Sequence, residues 1–157
     1  MDETRLAKAF LLRYRAALRY RQHLERLARE QREAAAARAQ GVRSPRGTAL
    51  GVRVQTSPDG QAMARAIVEA VDAQREAQLR IEQAAARAAQ LLAQVLAVID
   101  QVPAMEQRSL LMMRYLNGTS WRRIQAELGC SERQTFKLHR AALQEVDQIL
   151  EKMKIVQ

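Results

Sequence analysis

From Met63 to Val98, apolar and small residues recur in an unbroken four-three alternation: Met63, Ile67, Ala70, Gln74, Ala77, Ile81, Ala84, Ala88, Leu91, Val95 and Val98. A period of 3.5 residues keeps one side of a helix facing the same partner, and neither a strand nor a loop produces it. The run amounts to about five heptads, roughly 55 Å of helix at 1.5 Å per residue. Ala is the commonest seam residue, so a partner helix can approach closely while burying little area per layer. Gln74 interrupts the seam with a polar group that can set register at some cost in stability.

A second long helix is expected upstream. Residues from Thr4 to about Gln40 contain neither Gly nor Pro, and Leu6, Phe10, Tyr14, Ala17, Tyr20, Leu24, Leu27, Ala34 and Ala37 trace an approximate apolar stripe. It ends at "GVRSPRGTALGVRVQTSPDG", Gly41 to Gly60, where four Gly and two Pro in twenty residues predict an irregular linker. Arg43, Arg46 and Arg53 make that linker basic. Ser57 suits an N-cap, with Pro58 at the first helical position and Asp59 in the first turn. The two helices can pair as an antiparallel hairpin or between chains as a coiled coil. A thin, Ala-rich arm favours homo-oligomerisation.

The last third is punctuated differently. Pro103 stops the second long helix, and Leu110, Leu111, Met113 and Leu116 give a third helix its apolar face. In "YLNGTS", Gly118 suits a left-handed C′ position and Ser120 caps the next helix, Trp121 to Leu128. Gly129 ends that short helix, and Ser131 starts a fifth, with Gln134 placed to complete a capping box. Two helices joined by a glycine-bearing turn predict a helix-turn-helix. Ile124, Leu128, Cys130, Thr135 and Leu138 fall where the two helices would bury a shared face. On the fifth helix Thr135, Leu138, Ala142 and Val146 lie on one side, and Arg133, Lys137, Arg140 and Gln144 nearly opposite. One side fits its own domain and the other an anion such as DNA.

The fold expected is all-α: residues 1–40 a long amphipathic helix, 41–60 the basic linker, 61–101 the heptad helix and 102–157 the helix-turn-helix module. The net charge of +9 is uneven. Residues 1–58 hold 13 Lys/Arg against 5 Asp/Glu, residues 59–103 hold 4 against 6, and residues 104–157 hold 9 against 6. Such a balance suits a polyanionic partner, because phosphate neutralisation releases counterions. It also suits an arginine-solvated helix.

Other classes find little footing. No run of apolar residues is long enough for a membrane span, and "MDETRLAKAF" lacks the layout of a secretion signal. The single cysteine, Cys130, fits a reducing cytoplasm and reads as a small buried hydrophobe. His23 reads as a surface residue, His139 as a phosphate contact or a packing residue, and Trp121 as core. Two isolated histidines and one cysteine make no zinc site at the usual spacings. No phosphate loop, catalytic triad or carboxylate pair stands out, so neither catalysis nor a cofactor is expected.

"VPAMEQRSLLMMRYLNGTSWRRIQAELGCSERQTFKLHRAALQEV" resembles the promoter-reading fourth region of bacterial sigma factors. The likeness lies in the Pro opening, the "RYLNG" helix end, the "SWRRIQAELGCS" helix and turn, and the closing "RAALQ". The whole chain is similar to short phage and prophage late-gene activators of the RinA and ArpU kind, which join such a module to a helical arm. The resemblance implies a transcription regulator in a bacterial cytoplasm that binds double-stranded DNA and can touch RNA polymerase. It implies a recognition helix over 131–146, with Glu132, Arg133 and Lys137 reading bases and Ser131 and Arg140 on phosphates. Gln134, Arg122 and Arg123 complete the expected DNA-binding set. Arg133 would take a guanine edge and Glu132 would accept from cytosine. Two residues depart from the pattern. Gln125 stands where Gly or Ala is usual, and Phe136 replaces a usually polar residue. Phe136 and Leu143 are then candidates to dock on the arm or a second subunit. Two alternatives stay open: a small DNA-packaging subunit of ring-forming type, and an adaptor whose sigma-like module binds polymerase instead of DNA.

Overall fold

A computed structural model of the chain describes residues 4–42 and 58–155. All regular structure among them is helical: α1 (Arg5–Val42), α2 (Pro58–Ile99), α3 (Met105–Leu111), a π-helical turn (Met112–Leu116), α4 (Trp121–Leu128) and α5 (Glu132–Ile155). The all-α class expected from the sequence is the one observed. Most of the basic linker, with Arg43, Arg46 and Arg53, and the Ser57 cap lie outside the described residues. Pro58 is the first residue of α2, so Gly60, placed in the linker by composition, is helical. No described helix is long and apolar enough to cross a membrane.

The chain divides into two compact units whose boundaries fall inside the long helices. One comprises the chain up to Arg19 together with Ala85–Gln157, and the other is Tyr20–Ala84. In the first unit a continuous core joins Ala7 and Leu11 of α1, Val95, Val98 and Ile99 of α2, Val102, Leu111, Tyr115, and Ala142, Leu143, Val146 and Ile149 of α5. Each fully buried Val, Leu or Ile of this set contributes about 1.5–3 kcal/mol of transfer free energy. The buried side of α1 is rotated one residue from the stripe expected. Ala7 and Leu11 are sealed, whereas Leu6 is 57% exposed. A small Ala at position 7 brings the start of α1 close to α5, where its backbone N–H reaches Asp147.

In the second unit α1 and α2 run antiparallel. Leu24, Leu27, Ala28 and Gln31 share a shallow groove with Ala73, Glu76, Ala77 and Arg80. Here the heptad seam is only partly covered. Ala84 is buried and Ala77 and Ile81 half-buried, but Met63, Ile67, Ala70 and Gln74 are exposed. Downstream, in the first unit, Ala88, Leu91, Val95 and Val98 of the same seam are buried. The period identified the helix correctly without saying how much of its seam is covered.

The joint before the helix-turn-helix differs in detail from the expectation. α2 ends at Ile99, and α3 begins at Met105 behind Ala104, which supplies no side-chain cap. Pro103 lies in the connection between the two helices. α3 then widens into a π turn, in which the Asn117 N–H donates to the Met112 carbonyl at 3.0 Å. The extra residue per turn shifts the register of the side chains that follow. Tyr115 is buried there, while Met113 and Leu116, expected on the apolar face, are half-buried.

Candidate nucleic-acid interface

Two left-handed glycines and two side-chain caps build the turn. Gly118 (φ 68°) and Gly129 (φ 62°) adopt the backbone region that a Cβ disfavours. The Ser120 hydroxyl accepts from the Arg123 N–H at 3.4 Å and starts α4. At α5 the capping box is closed in both directions. The Ser131 hydroxyl accepts from the Gln134 N–H at 3.3 Å, and Gln134 Oε1 accepts from the Ser131 N–H at 2.9 Å. Thr135, fully buried, donates its hydroxyl proton to the Ser131 carbonyl at 2.9 Å. A polar side chain at that core position is thereby satisfied within its own turn.

The face toward the domain is closed: Ile124, Thr135, Ala142 and Val146 are sealed from solvent. The other face is open, and Ser131, Glu132, Arg133, Gln134, Lys137 and Arg140 are all exposed, with Arg122 and Arg123 on α4. Three of these eight have internal work. Ser131 and Gln134 hold the cap, and Arg123 pairs with Glu127 at 3.0 Å. Such an exposed i,i+4 pair is weak and easily exchanged for another anion. Arg122, Arg133, Lys137 and Arg140 carry no ion pair among the described residues.

Phe136 and Leu143 part company. Leu143 is buried in the core that includes Ala7 and Leu11 of α1. Phe136 stays 41% exposed and tilts against Trp121, with ring centroids 5.0 Å apart. It therefore shields the α4–α5 junction without leaving the surface. Gln125 is half-buried, and its carbonyl accepts from the N–H groups of Gly129 and Cys130 that close the turn.

Sequence reasoning missed a cluster behind the turn. Arg114 lies over the Trp121 ring at 4.5 Å and donates to the Thr119 carbonyl at 3.2 Å. His139 packs edge-on to Trp121 and lies 2.9 Å, through Nε2, from the Tyr115 hydroxyl. Burial, then the charges of Lys8 and Arg114, pushes His139 down to about 4. Burial pushes Tyr115 up to about 12, opposed by Arg114. At neutral pH the ring is uncharged and the phenol protonated, so the hydroxyl can donate to Nε2. His139 is a packing residue and brings no charge to the surface. Only contacts between distant segments create this cluster, and no spacing in the sequence announces it.

Among the described residues no group of three or more His, Cys, Asp or Glu is placed to hold a metal. Cys130 is half-buried, its thiol directed to the Leu128 carbonyl at 3.5 Å.

Residues 54–147 match the family described as "Protein of unknown function (DUF1492)". The chain belongs to this family. The DUF1492 match takes in α2, α3, the π turn, α4 and most of α5, and so includes the whole helix-turn-helix. No curated protein matches the chain, nor does any solved structure.

Proposed function

We propose that this DUF1492 chain is a sequence-specific DNA-binding regulator of phage or prophage type, with residues 131–146 entering a major groove. One observation carries the reading: α5 is sealed along Thr135, Ala142 and Val146 and open along Arg133, Lys137 and Arg140. A recognition helix needs that division, because base edges must be reached from a rod that cannot rock on its own domain. The closed capping box supports it further, since it leaves the first turn of α5 rigid. The resemblance to sigma region 4 over the same residues points the same way.

Self-association through the arm belongs to the same proposal. It is supported by the uncovered seam positions Met63 and Ile67, each 58% exposed. Light scattering reads it directly: a dimer fits a regulator, and a large closed ring fits a packaging subunit.

Duplex binding by the full chain, measured against salt, tests the function. Arg133→Ala is expected to relax preference at one base position, by about 1–3 kcal/mol. Arg140→Ala is expected to weaken all duplexes alike and flatten the salt dependence. Equal binding of every duplex by the wild type would exclude the proposal, and polymerase binding retained by an Arg133/Lys137 double variant that has lost no activity would favour the adaptor.

A further inference from the structure

We propose that the cleft between the start of α1 and the helix-turn-helix, lined by Arg15, Arg19 and Arg114, binds successive backbone phosphodiesters of DNA beyond the segment read by α5. α1 would then lengthen the footprint. The inference rests on the DNA-binding reading above and adds to it a site on a different helix.

The cleft has a volume of about 390 Å³ and is lined by Lys8, Leu12, Arg15 and Arg19 of α1, Arg114 and Tyr115 of the π turn, Trp121 and His139. Among these described lining residues none is acidic. The guanidinium groups of Arg15, Arg19 and Arg114, gathered on one concave surface, raise each other's energy, and an anion bound between them relieves the repulsion. Burial is the main cause of the depressed His139, and the nearby charges of Lys8 and Arg114 add to it.

One arginine is held in place, and a second lies against the turn. Arg114 is fixed by Trp121 and the Thr119 carbonyl. Arg15 lays its guanidinium over Gly118, in the space that a Cβ would fill. A preorganised guanidinium loses less freedom on meeting a phosphate.

The chemistry points to phosphate and away from a base. Trp121 is already occupied by Arg114, Phe136 and His139, the two ring contacts at 5.0 and 4.8 Å. A nucleobase therefore finds no free platform there. Arg15 and Arg19 stand one turn apart, about 6 Å along the helix, which makes a row of charge suited to a polymer. Trp121 opens α4, and the exposed Arg122 and Arg123 follow it directly. One DNA strand could pass from these residues to the cleft.

The test uses the full chain and a duplex selected from a random pool. Arg15→Gln with Arg19→Gln should reduce the slope of log affinity against log salt by about 1.8, two contacts at about 0.9 each. Preference among sequences should be unchanged. Trimming the duplex flank should weaken the wild type but not this pair, and Arg15→Lys with Arg19→Lys should restore the slope. Should Arg15→Gln fail to fold, as read by circular dichroism, Arg19→Gln alone must still lower the slope by about 0.9. An unchanged slope in the Gln variants, with binding lost in Arg133→Ala/Lys137→Ala, overturns this inference and leaves the regulator reading standing. Absence of any duplex binding by the wild type overturns both. Inorganic pyrophosphate that raises the melting temperature through Arg15, with the duplex slope unchanged, would assign the cleft to a small free anion and overturn the DNA contact.

Discussion

Asp147 of α5 accepts a 2.7 Å hydrogen bond from the backbone N–H of Ala7, 140 positions earlier in the chain. Ala7 lies in the first turn of α1, where N–H groups have no intrahelical partner and the helix dipole favours a negative charge. A carboxylate from the far end of the sequence thus caps the first helix and ties it to the helix-turn-helix. Asp147→Ala is expected to cost about 1 kcal/mol, the usual worth of an N-terminal cap, read as a lower urea midpoint at unchanged slope. Burial raises the Asp147 pKa from 3.8, the Ala7 N–H pulls it down, and Glu151 raises it again. With the folded value above the unfolded one, the native state binds more protons in the window between them. The contribution of Asp147 therefore falls as pH rises through that window.

His139 titrates in the opposite sense. An ordinary imidazole ionises near 6.5, and this one is held to about 4. Between those values the unfolded chain binds more protons, so stability is expected to fall as pH drops from 6.5 toward 4. Solvent reaches part of the ring and screens the effect. Melting temperature followed over this range should decline in the wild type and flatten in His139→Gln. Parallel curves for the two proteins would show that His139 does not sense the burial and the charges of Lys8 and Arg114.

The two turn glycines should respond unequally to one methyl group. Both have positive φ, and Ala there costs about 1–2 kcal/mol from backbone strain alone. A Cβ on Gly129 meets nothing within 4 Å, whereas on Gly118 it runs into the Arg15 guanidinium. Gly118→Ala should therefore be the more destabilising in a urea titration. In the double variant with Arg15→Ala the excess should shrink, because the obstacle is gone. Equal costs in the two single variants would mean that Arg15 yields freely.

Local chemistry was legible in the sequence. Gly118, Gly129, Ser120, Ser131 and Gln134 act within four residues of themselves, so their roles as stops and caps follow from type and spacing. The long helices were legible for a related reason, since a heptad period is a property of one segment. What escaped is what two distant segments make together. The bond from Ala7 to Asp147, the Arg15 side chain over Gly118, and the Tyr115–His139–Trp121–Arg114 cluster each need positions that no period relates. The rotated buried stripe of α1 belongs to the same class. With Leu at both 11 and 12, and apolar choices at 6, 7 and 10, packing against α5 decides which side turns inward. The π turn escaped because "LLMMRYL" suits an ordinary α-helix equally well by propensity.

The most direct measurement is selection of bound sequences from a random duplex pool by the wild-type chain and by Arg133→Ala/Lys137→Ala. The wild type should enrich one sequence motif, and the double variant, folded to the same helicity, should enrich none. A wild type that recovers the pool unchanged, or a double variant that recovers the same motif as strongly, would contradict the proposed function.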